Sequence, residues 1–294
     1  MMDWSEISRE IEAATLQRFS VINSRSVSGG DISDAYVLES PSRKFFVKLN
    51  QADRVDMFEA EFEGLHEIRK SNSIRVPLPI CSSCTLNYSF LVLEFVEFSS
   101  SMDSHSQEIL GRHVAKMHQY FGERFGWYRD NTIGSTKQIN TQSDDWISFY
   151  RDHRLGFQLS LALQRGAGRE FANVIDKLCS NVACFFSTHT PEPSLLHGDL
   201  WSGNHSFASN GEPLVFDPAT YYGDREADIA MTELFGGYGT GFYEAYNDTY
   251  PLDCDYSVRK NLYNLYHVIN HFNLFGGGYE RQAIGIAKSL LAEI

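Results

Sequence analysis

Apolar residues are spaced differently in the first third of the chain and in the rest of it. Between Ser26 and Leu49, short apolar runs are separated by a Gly-Gly pair and by a Pro-Ser turn, which is typical of strands joined by tight turns. From Ser104 onward, apolar residues recur every three or four positions, as they do along one face of a helix. The pattern predicts a strand-rich first third and a helix-rich remainder.

The same pattern gives approximate bounds for the helices. Apolar residues at positions 4, 7, 11 and 14 predict an N-terminal amphipathic helix, and Asp53 to Lys70 predicts a second helix after the strands. Further helices are predicted after Ser104, from an N-cap at Ser143 through Leu159, and over 171–185, 228–246, 256–275 and 281–294.

Two apolar runs in the helix-rich part each lead into an acidic residue. The first leads through His197 and Gly198 to Asp199, with Asn204 five positions later, and the second ends at Asp217. The spacing His-x-Asp-x-x-x-x-Asn is that of the catalytic loop of protein-kinase-like phosphotransferases, with Gly198 in place of the usual Arg. In such a loop a carboxylate accepts the proton of a substrate hydroxyl, while an amide oxygen and a second carboxylate hold Mg²⁺ against ATP. Asp199 is therefore predicted to be the catalytic base, and Asn204 and Asp217 the magnesium ligands.

Lys48 lies near the end of the predicted third strand. Taken alone, it fits an edge-strand Lys that blunts aggregation. The functional alternative is a Lys that binds the α- and β-phosphates and pairs with a helix Glu. Glu61 falls in line with Met57 and Leu65 on the apolar stripe of the next helix, whereas the glutamates at 59 and 63 share a polar face. Because a carboxylate on an apolar face needs a partner, Glu61 is predicted to pair with Lys48.

Two further segments are candidates for contacts with the nucleotide. Ser28, Gly29 and Gly30 could form a hairpin whose backbone N–H groups approach phosphates, although a plain β-turn is the better explanation of an isolated Gly-Gly pair. The strand that ends near Glu94 and Val96 could link two lobes and hydrogen-bond adenine through its backbone. By sequence alone it is simply a buried strand.

Cysteine and histidine motifs add no second chemistry. The Cys81-Ser82-Ser83-Cys84 motif has no further ligands nearby that would complete a zinc site, so we interpret it as two thiols in a hairpin turn. His197, two residues before Asp199, is interpreted as a residue that holds the backbone of the loop.

Composition excludes several functional classes. The chain has 294 residues, a formal net charge of −13 and no dense Lys/Arg run, which disfavours nucleic acid and anionic membranes as partners. Five cysteines, an odd number, suggest reduced thiols. The N-terminal residues lack the charge pattern and apolar core of a signal peptide. We therefore expect a cytoplasmic protein.

Two long segments and several short ones resemble the fructosamine kinase (ketosamine kinase) family. The long segments are Leu196–Asn204 and Phe216–Met231, and Trp201 in the first of them separates this family from aminoglycoside and choline kinases. Shorter matches extend the likeness over nearly the whole chain, at 45–48, 57–61, 91–95 and 125–134.

The resemblance implies an α+β fold with two lobes, like protein kinases and aminoglycoside phosphotransferases. Residues 1–96 would form an antiparallel-sheet, nucleotide-binding lobe, and residues 97–294 a mostly helical lobe for catalysis and acceptor binding. The implied reaction uses ATP and Mg²⁺ to phosphorylate a sugar hydroxyl of ketosamines, which are adducts of amines or proteins with sugars such as ribose and glucose. The phosphorylated adduct is unstable and decomposes, so the implied activity is deglycation of the amine or protein. A monomer is expected.

The acceptor site is less well defined by the sequence. Trp201, Arg154 and Gln158 are candidates, Tyr221 and Tyr222 are expected in the core, and Glu226 and Asp228 are expected to cap a helix and brace the loop. Some family members have a Cys after the loop glycines where this chain has Asp31, so a loop disulfide is not expected here. Two alternatives remain: a kinase of the same fold for another hydroxylated compound, such as an aminoglycoside or choline, and an inactive nucleotide-binding regulator.

Overall fold

A computed structural model of the chain describes residues 3–27, 32–99 and 104–294. Its first part is an antiparallel sheet covered by two helices. The elements are α1 (Ser5–Thr15), β1 (Asn23–Val27), β2 (Asp34–Glu39), β3 (Lys44–Gln51), α2 (Val55–Lys70), β4 (Pro79–Cys84) and β5 (Tyr88–Glu94). The strands pair in the order β1-β2-β3-β5-β4. The predicted strands and both predicted helices are confirmed.

Alternation along β3 decides which way Lys48 points. Val47 and Leu49 are buried in a cluster that includes Ile7 and Ile11 of α1. Lys48 therefore lies on the opposite face of the sheet, toward α2, because successive side chains of a strand point to opposite faces. The alternation of apolar side chains that predicts the strand therefore also places the Lys48 side chain on the face toward α2.

The C-x-x-C segment corrects one expectation. Cys81 and Cys84 lie within β4 and pair with Val92 and Ser89 of β5, so they are strand residues and not a hairpin turn. The turn comes later, where the N–H of Thr85 donates to the carbonyl of Tyr88. Both cysteines are free thiols, as expected.

The second part of the chain is built mainly from helices. They are α3 (Ser104–His118), α4 (Trp146–Phe149), α5 (Phe157–Gln164), α6 (Arg169–Cys179), α7 (Glu226–Leu234), α8 (Thr240–Thr249), α9 (Tyr256–Phe275) and α10 (Tyr279–Ala292). Short strands form three antiparallel ladders: β6 (Asn131–Ile133) with β7 (Thr136–Gln138), β8 (Ser194–Leu196) with β11 (Tyr221–Gly223), and β9 (His205–Phe207) with β10 (Pro213–Val215). The α+β class is confirmed.

Three predicted helices are interrupted. The helix expected over 228–246 is split into α7 and α8, because Gly236 and Gly237 both adopt positive φ between them. The helix expected through Leu159 begins after an N-cap at Asp145, not Ser143, and changes to a π-helical segment at Tyr150–Gly156 before α5. The helix expected over 171–185 ends at Cys179 and is followed by a 3₁₀ turn, Val182–Phe186.

The short ladders place the two acidic loops side by side. β8 leads into the loop of Asp199, and β11, its partner, follows the loop of Asp217. Trp146, Tyr150 and Tyr263 lie in the large core that supports these ladders from the helical side. None of the helices in the described ranges has an apolar stretch long enough to cross a bilayer.

Candidate active site

The loop that carries Asp199 is fixed through its backbone. Asp228, in the first turn of α7, accepts hydrogen bonds from the N–H groups of His197 and Gly198 at 2.7 and 2.8 Å. The His197 ring donates from Nε2 to the carbonyl of Phe216 (3.0 Å) and accepts at Nδ1 from the N–H of Asp199 (3.3 Å). Burial lowers the pKa of His197, which agrees with a neutral ring in these bonds. Its hydrogen bonds thus match a structural role.

Gly198 lies where the two acidic loops touch. Its φ is +82°, and a Cβ at this position would lie 2.1 Å from the carbonyl oxygen of Ala219. A hydrogen bond of 2.8 Å from the N–H of Ala219 to the carbonyl of His197 joins the same segments. Only Gly accepts both the left-handed backbone and the close approach, which explains why the usual Arg is absent.

Asn204 binds the side chain predicted to be the base. It ends the 3₁₀ turn Ser202–Asn204, and its Nδ2 donates to the carbonyl (2.9 Å) and the carboxylate (3.1 Å) of Asp199. Burial and the charge of Asp217 raise the pKa of Asp199 to about 7, although the Asn204 bond works in the opposite direction. A proton affinity near neutrality suits a group that accepts and releases a proton.

Lys48 joins the two parts of the chain. Its Nζ lies 2.6 Å from Oε1 of Glu61 on α2 and 2.7 Å from Oδ1 of Asp217. Burial alone would lower the pKa of Lys48, but the two carboxylates outweigh it and raise that pKa above its ordinary value. Burial raises the pKa of Glu61, and the ammonium of Lys48 opposes this shift. The expected Lys48–Glu61 pair is therefore present, with Asp217 as a third member.

Asn204 and Asp217 together fit a magnesium ion. Both hydrogen bonds of the Asn204 amide use its nitrogen, so its oxygen remains for a cation. Asp217, held at a φ of +59°, uses one carboxylate oxygen for Lys48, and its other oxygen makes no hydrogen bond within the described residues. Amide and carboxylate oxygens are the hard ligands that Mg²⁺ prefers.

The segments expected to bind the nucleotide are only partly described. Ser28, Gly29 and Gly30 lie outside the described residues, as does Asp31. At the end of β5, the Glu94 carboxylate accepts from Arg75 at 2.8 Å, and Arg75 also donates to Glu212 at 2.9 Å. Glu94 is thereby connected through Arg75 to the second part of the chain. The backbone of Val96 makes no hydrogen bond to the described residues, which leaves its N–H and carbonyl open to a ligand.

Two acceptor candidates are placed in the interior, which corrects the expectation for them. Arg154 is fully buried and donates to Asn140 Oδ1 at 2.8 Å. Gln158 is also fully buried and donates to Asn270 Oδ1 at 3.2 Å. Neither side chain reaches the surface, because the π-helical segment and α5 turn that face toward α9. An acceptor contact is therefore not available to either residue in this structure.

The three aromatic candidates for the acceptor site differ in their exposure to solvent. Trp201 is 38% exposed, and its ring lies so close to Gly203 that a Cβ there would be 2.2 Å from it. Tyr221 is buried in the core, as expected. Tyr222 is half-buried and donates to Glu67 of α2 at 2.8 Å. Trp201 remains the candidate with an accessible face.

Several contacts at the site lacked a clear sequence signal. Glu226 forms a buried ion pair with Arg259 (2.7 Å), so it braces α9 and does not cap α7. On the other side of the site, Gln138 donates to the carbonyl of Ala219 (3.1 Å) and Asn131 to that of Thr220 (2.8 Å), fixing the segment after Asp217. Isolated Asn and Gln residues in a short hairpin give no pattern that predicts this.

A second row of contacts holds α2 against the helical part. Glu63 accepts hydrogen bonds from Tyr128 and Arg129, the latter at 2.9 Å, while Glu67 accepts from Tyr222. These two glutamates are four positions apart, and this spacing, which is visible in the sequence, places them on one face of α2. Glu61 thus belongs to a helix held from two sides.

Comparison with known proteins adds to this geometry. The fructosamine kinase family model matches residues 3–293. The chain belongs to the fructosamine kinase family. A Synechocystis protein named "Probable ketoamine kinase" is 47% identical over 98% of this chain and 97% of its own length. The chloroplastic protein-ribulosamine 3-kinase of Oryza sativa subsp. japonica is 44% identical over 90% of this chain and 78% of its own.

Solved structures agree with this assignment. The crystal structure of a Haemophilus somnus 129PT protein assigned as a fructosamine-3-kinase has a TM-score of 0.90 and 31% identity, covering 98% of this chain and 97% of that one. A thermostable mutant of the aminoglycoside phosphotransferase APH(4)-Ia, crystallised with AMP-PNP and hygromycin B, has a TM-score of 0.64 at 15% identity, covering 96% of this chain and 98% of that one. The protein-kinase-like fold is thereby confirmed, and family membership makes the chain a phosphotransferase that acts on a sugar hydroxyl.

Proposed function

We propose that this fructosamine kinase family member uses ATP to phosphorylate a sugar hydroxyl of ketosamines, either small or protein-bound. The observation that carries the proposal is the position of Asp199, whose carboxylate is held by Asn204 beside the Asp217–Lys48 pair. Ketoamine and ribulosamine are the acceptors in the names of its relatives. The phosphorylated adduct is unstable, so the outcome is deglycation of the amine.

The residues of this chain account for the steps of the reaction. Asp199 orients the acceptor hydroxyl and takes its proton as the oxygen attacks the γ-phosphorus of ATP. The new P–O bond forms as the bond between the γ-phosphorus and the bridging oxygen breaks, and ADP leaves with that bond's electron pair. Lys48, held by Glu61, neutralises charge on the phosphates. Mg²⁺, held by Asn204 and Asp217, would supply further charge neutralisation along the triphosphate.

The nucleotide contacts and the division of the chain belong to the same proposal. Residues 1–96 act as the nucleotide-binding lobe and residues 97–294 as the catalytic and acceptor-binding lobe. The proposal assigns contacts with the phosphates to Ser28, Gly29 and Gly30, and contacts with adenine to the backbone near Glu94 and Val96. Trp201 is the acceptor contact that we retain. We also propose that the enzyme is cytoplasmic and monomeric and that it binds no nucleic acid.

Asp199→Asn tests the proposed base. Loss of the carboxylate should lower kcat by a factor of about 10²–10⁴, the usual contribution of general base catalysis. The measurement is ATP-dependent phosphorylation of a synthetic ribulosamine and a fructosamine, followed by mass spectrometry. Asp248→Asn, an exposed position on α8, is the matched control and should keep wild-type turnover. Full activity of Asp199→Asn would contradict the assigned role.

A panel of acceptors tests the substrate class. Ketosamines of different sugar lengths are compared by kcat/KM with an aminoglycoside and with choline. Preference for a ketosamine supports the proposal, and preference for one of the other compounds replaces it with a kinase of the same fold. ATP binding without turnover on any acceptor would indicate an inactive regulator.

A further inference from the structure

The turn before the proposed base depends on a single buried carboxylate. Asp228 accepts the N–H groups of both His197 and Gly198, and it is only 1% exposed. A buried carboxylate is costly unless its remaining lone pairs are also satisfied. The rotation of Asp228 therefore controls where the backbone before Asp199 lies.

Two residues far away in sequence complete the bonds of Asp228. Nε2 of His118, on α3, lies 3.1 Å from its Oδ2, and Nδ1 of the same ring lies 2.8 Å from the hydroxyl of Tyr246 on α8. That hydroxyl also accepts from Nη1 of Arg225 at 3.1 Å. His118 is fully buried and Tyr246 is 1% exposed. Arg225, at the end of the series, is 8% exposed.

The direction of each hydrogen bond in the series follows from the donors available. The ionised Asp228 carboxylate can only accept, so Nε2 of His118 carries a proton and donates it to Asp228. In a neutral ring Nδ1 then has no proton and accepts that of Tyr246, whose oxygen accepts from Arg225, which can only donate. Burial lowers the pKa of His118, in line with a neutral ring. One arrangement of protons therefore satisfies all four side chains.

We propose that His118 and Tyr246 are positioning residues for catalysis, acting through Asp228 on the loop that presents Asp199. Neither residue touches a reacting group. Their function is to keep the Asp228 carboxylate in the rotation that receives both loop N–H groups. The inference rests on the proposed kinase function, because its main readout is turnover.

The experiment compares two buried tyrosines that each lose only a hydroxyl group. Tyr246→Phe removes the donor to His118, whereas Tyr150→Phe removes an equally buried hydroxyl that donates to the carbonyl of Leu262 at 2.8 Å, away from the loop. Tyr246→Phe should lower kcat about tenfold with KM for ATP within about twofold, since small misplacements of a catalytic group are costly. Tyr150→Phe should keep the wild-type kcat, even if it lowers Tm by as much as Tyr246→Phe does.

Two variants of His118 sharpen the comparison. His118→Phe should lower kcat at least as much as Tyr246→Phe, and His118→Gln, which can accept from Tyr246 and donate to Asp228, should recover part of the loss. Unchanged kcat in Tyr246→Phe, or losses of kcat that follow Tm equally at positions 246 and 150, would overturn the proposal.

A measurement without an acceptor separates this proposal from the proposed function. In ¹⁵N NMR spectra, the His118 resonances, assigned by their absence from His118→Gln, should show a neutral ring protonated on Nε2. The opposite tautomer or a charged ring would overturn the hydrogen-bond series, whatever the acceptor. If this tautomer is found but no ketosamine is phosphorylated, the proposed function fails and the positioning role is tested on the acceptor that is turned over.

Discussion

Lys48 and Asp217, 169 positions apart in the sequence, form an ion pair with 2.7 Å between Nζ and Oδ1. The pair joins the strand β3 to the loop of the proposed magnesium ligand. Since the same ammonium also binds Glu61, the groups that would meet the triphosphate are held together before a nucleotide arrives. We expect phosphate contacts to replace part of the Lys48–Asp217 contact when ATP binds with Mg²⁺.

Asp217→Asn should separate catalysis from stability. The amide keeps the shape of the side chain and loses the charge that attracts both Lys48 and Mg²⁺. Because the Asp217 side chain is 45% exposed, we expect little change in Tm. Turnover should fall by a factor of about 10² or more, as for loss of electrostatic groups at a reacting centre. Magnesium titrations of initial rate check this, and wild-type rates at any Mg²⁺ concentration would contradict the assignment.

Gly198→Ala should destabilise the protein far more than Gly211→Ala. Both glycines have a φ of +82°, so the backbone strain is matched. A Cβ at position 211 meets nothing within 4 Å, whereas at position 198 it meets the carbonyl of Ala219 at 2.1 Å. Gly211→Ala should cost about 1 kcal/mol, and Gly198→Ala should cost about 1–3 kcal/mol more and abolish turnover. Urea unfolding measures both, and equal losses would show that the loops yield easily.

The contrast between Lys48 and Gln138 shows which contacts at the site can be predicted from the sequence and which cannot. Lys48 and Glu61 could be paired in advance because each follows a local period, two along a strand and close to four along a helix. Asp199, Asn204 and Asp217 belong to fixed spacings within short loops. Gln138 and Asn131 act through long-range contacts to backbone carbonyls, and no local period encodes such contacts.

The errors in the prediction have physical causes of the same kind. The break between α7 and α8 depends on positive φ at Gly236 and Gly237, although the apolar period continues across it. Arg154 and Gln158 were expected near the acceptor because they are polar residues on a helix. Tertiary packing buries both and satisfies them with other polar side chains, which a pattern of residue types does not reveal.

Removing two contacts that hold α2, with the double variant Arg129→Ala/Tyr222→Phe, should weaken ATP binding from a distance. Arg129 and Tyr222 hold α2 through Glu63 and Glu67, and α2 holds Lys48 through Glu61. The double variant Arg129→Ala/Tyr222→Phe should raise KM for ATP about fivefold, corresponding to roughly 1 kcal/mol for a partly exposed set of contacts.

Arg124→Ala is the control for that change. Arg124 forms an ion pair of similar length with Asp144 (2.6 Å), but neither side chain forms a hydrogen bond or ion pair with α2. Its removal should leave KM for ATP unchanged. If both variants raise KM equally, the effect comes from the loss of surface charge and not from the position of α2.

His189→Gln should change how stability depends on pH. Burial disfavours the imidazolium of His189, but the hydrogen bond (2.8 Å) and charge of Asp224, with the charge of Glu226, outweigh it and raise the pKa of His189 above its ordinary value. A raised folded-state pKa contributes stability that is complete below the unfolded pKa of about 6.5 and is lost as pH rises through the folded pKa. Gln can still donate to Asp224 but carries no charge. The wild type should therefore exceed the variant in unfolding free energy most clearly near about pH 6, with the gap closing toward about pH 9.

Because the buried histidines His118, His197 and His267 have lowered pKa values, they destabilise both proteins alike as pH falls, so only the difference between the two curves reports on His189. Urea unfolding at a series of pH values measures that difference. A gap that does not vary with pH would mean that folding leaves the pKa of His189 unchanged, and a gap that shrinks as pH falls would mean that the pKa is lowered; either result would contradict the prediction.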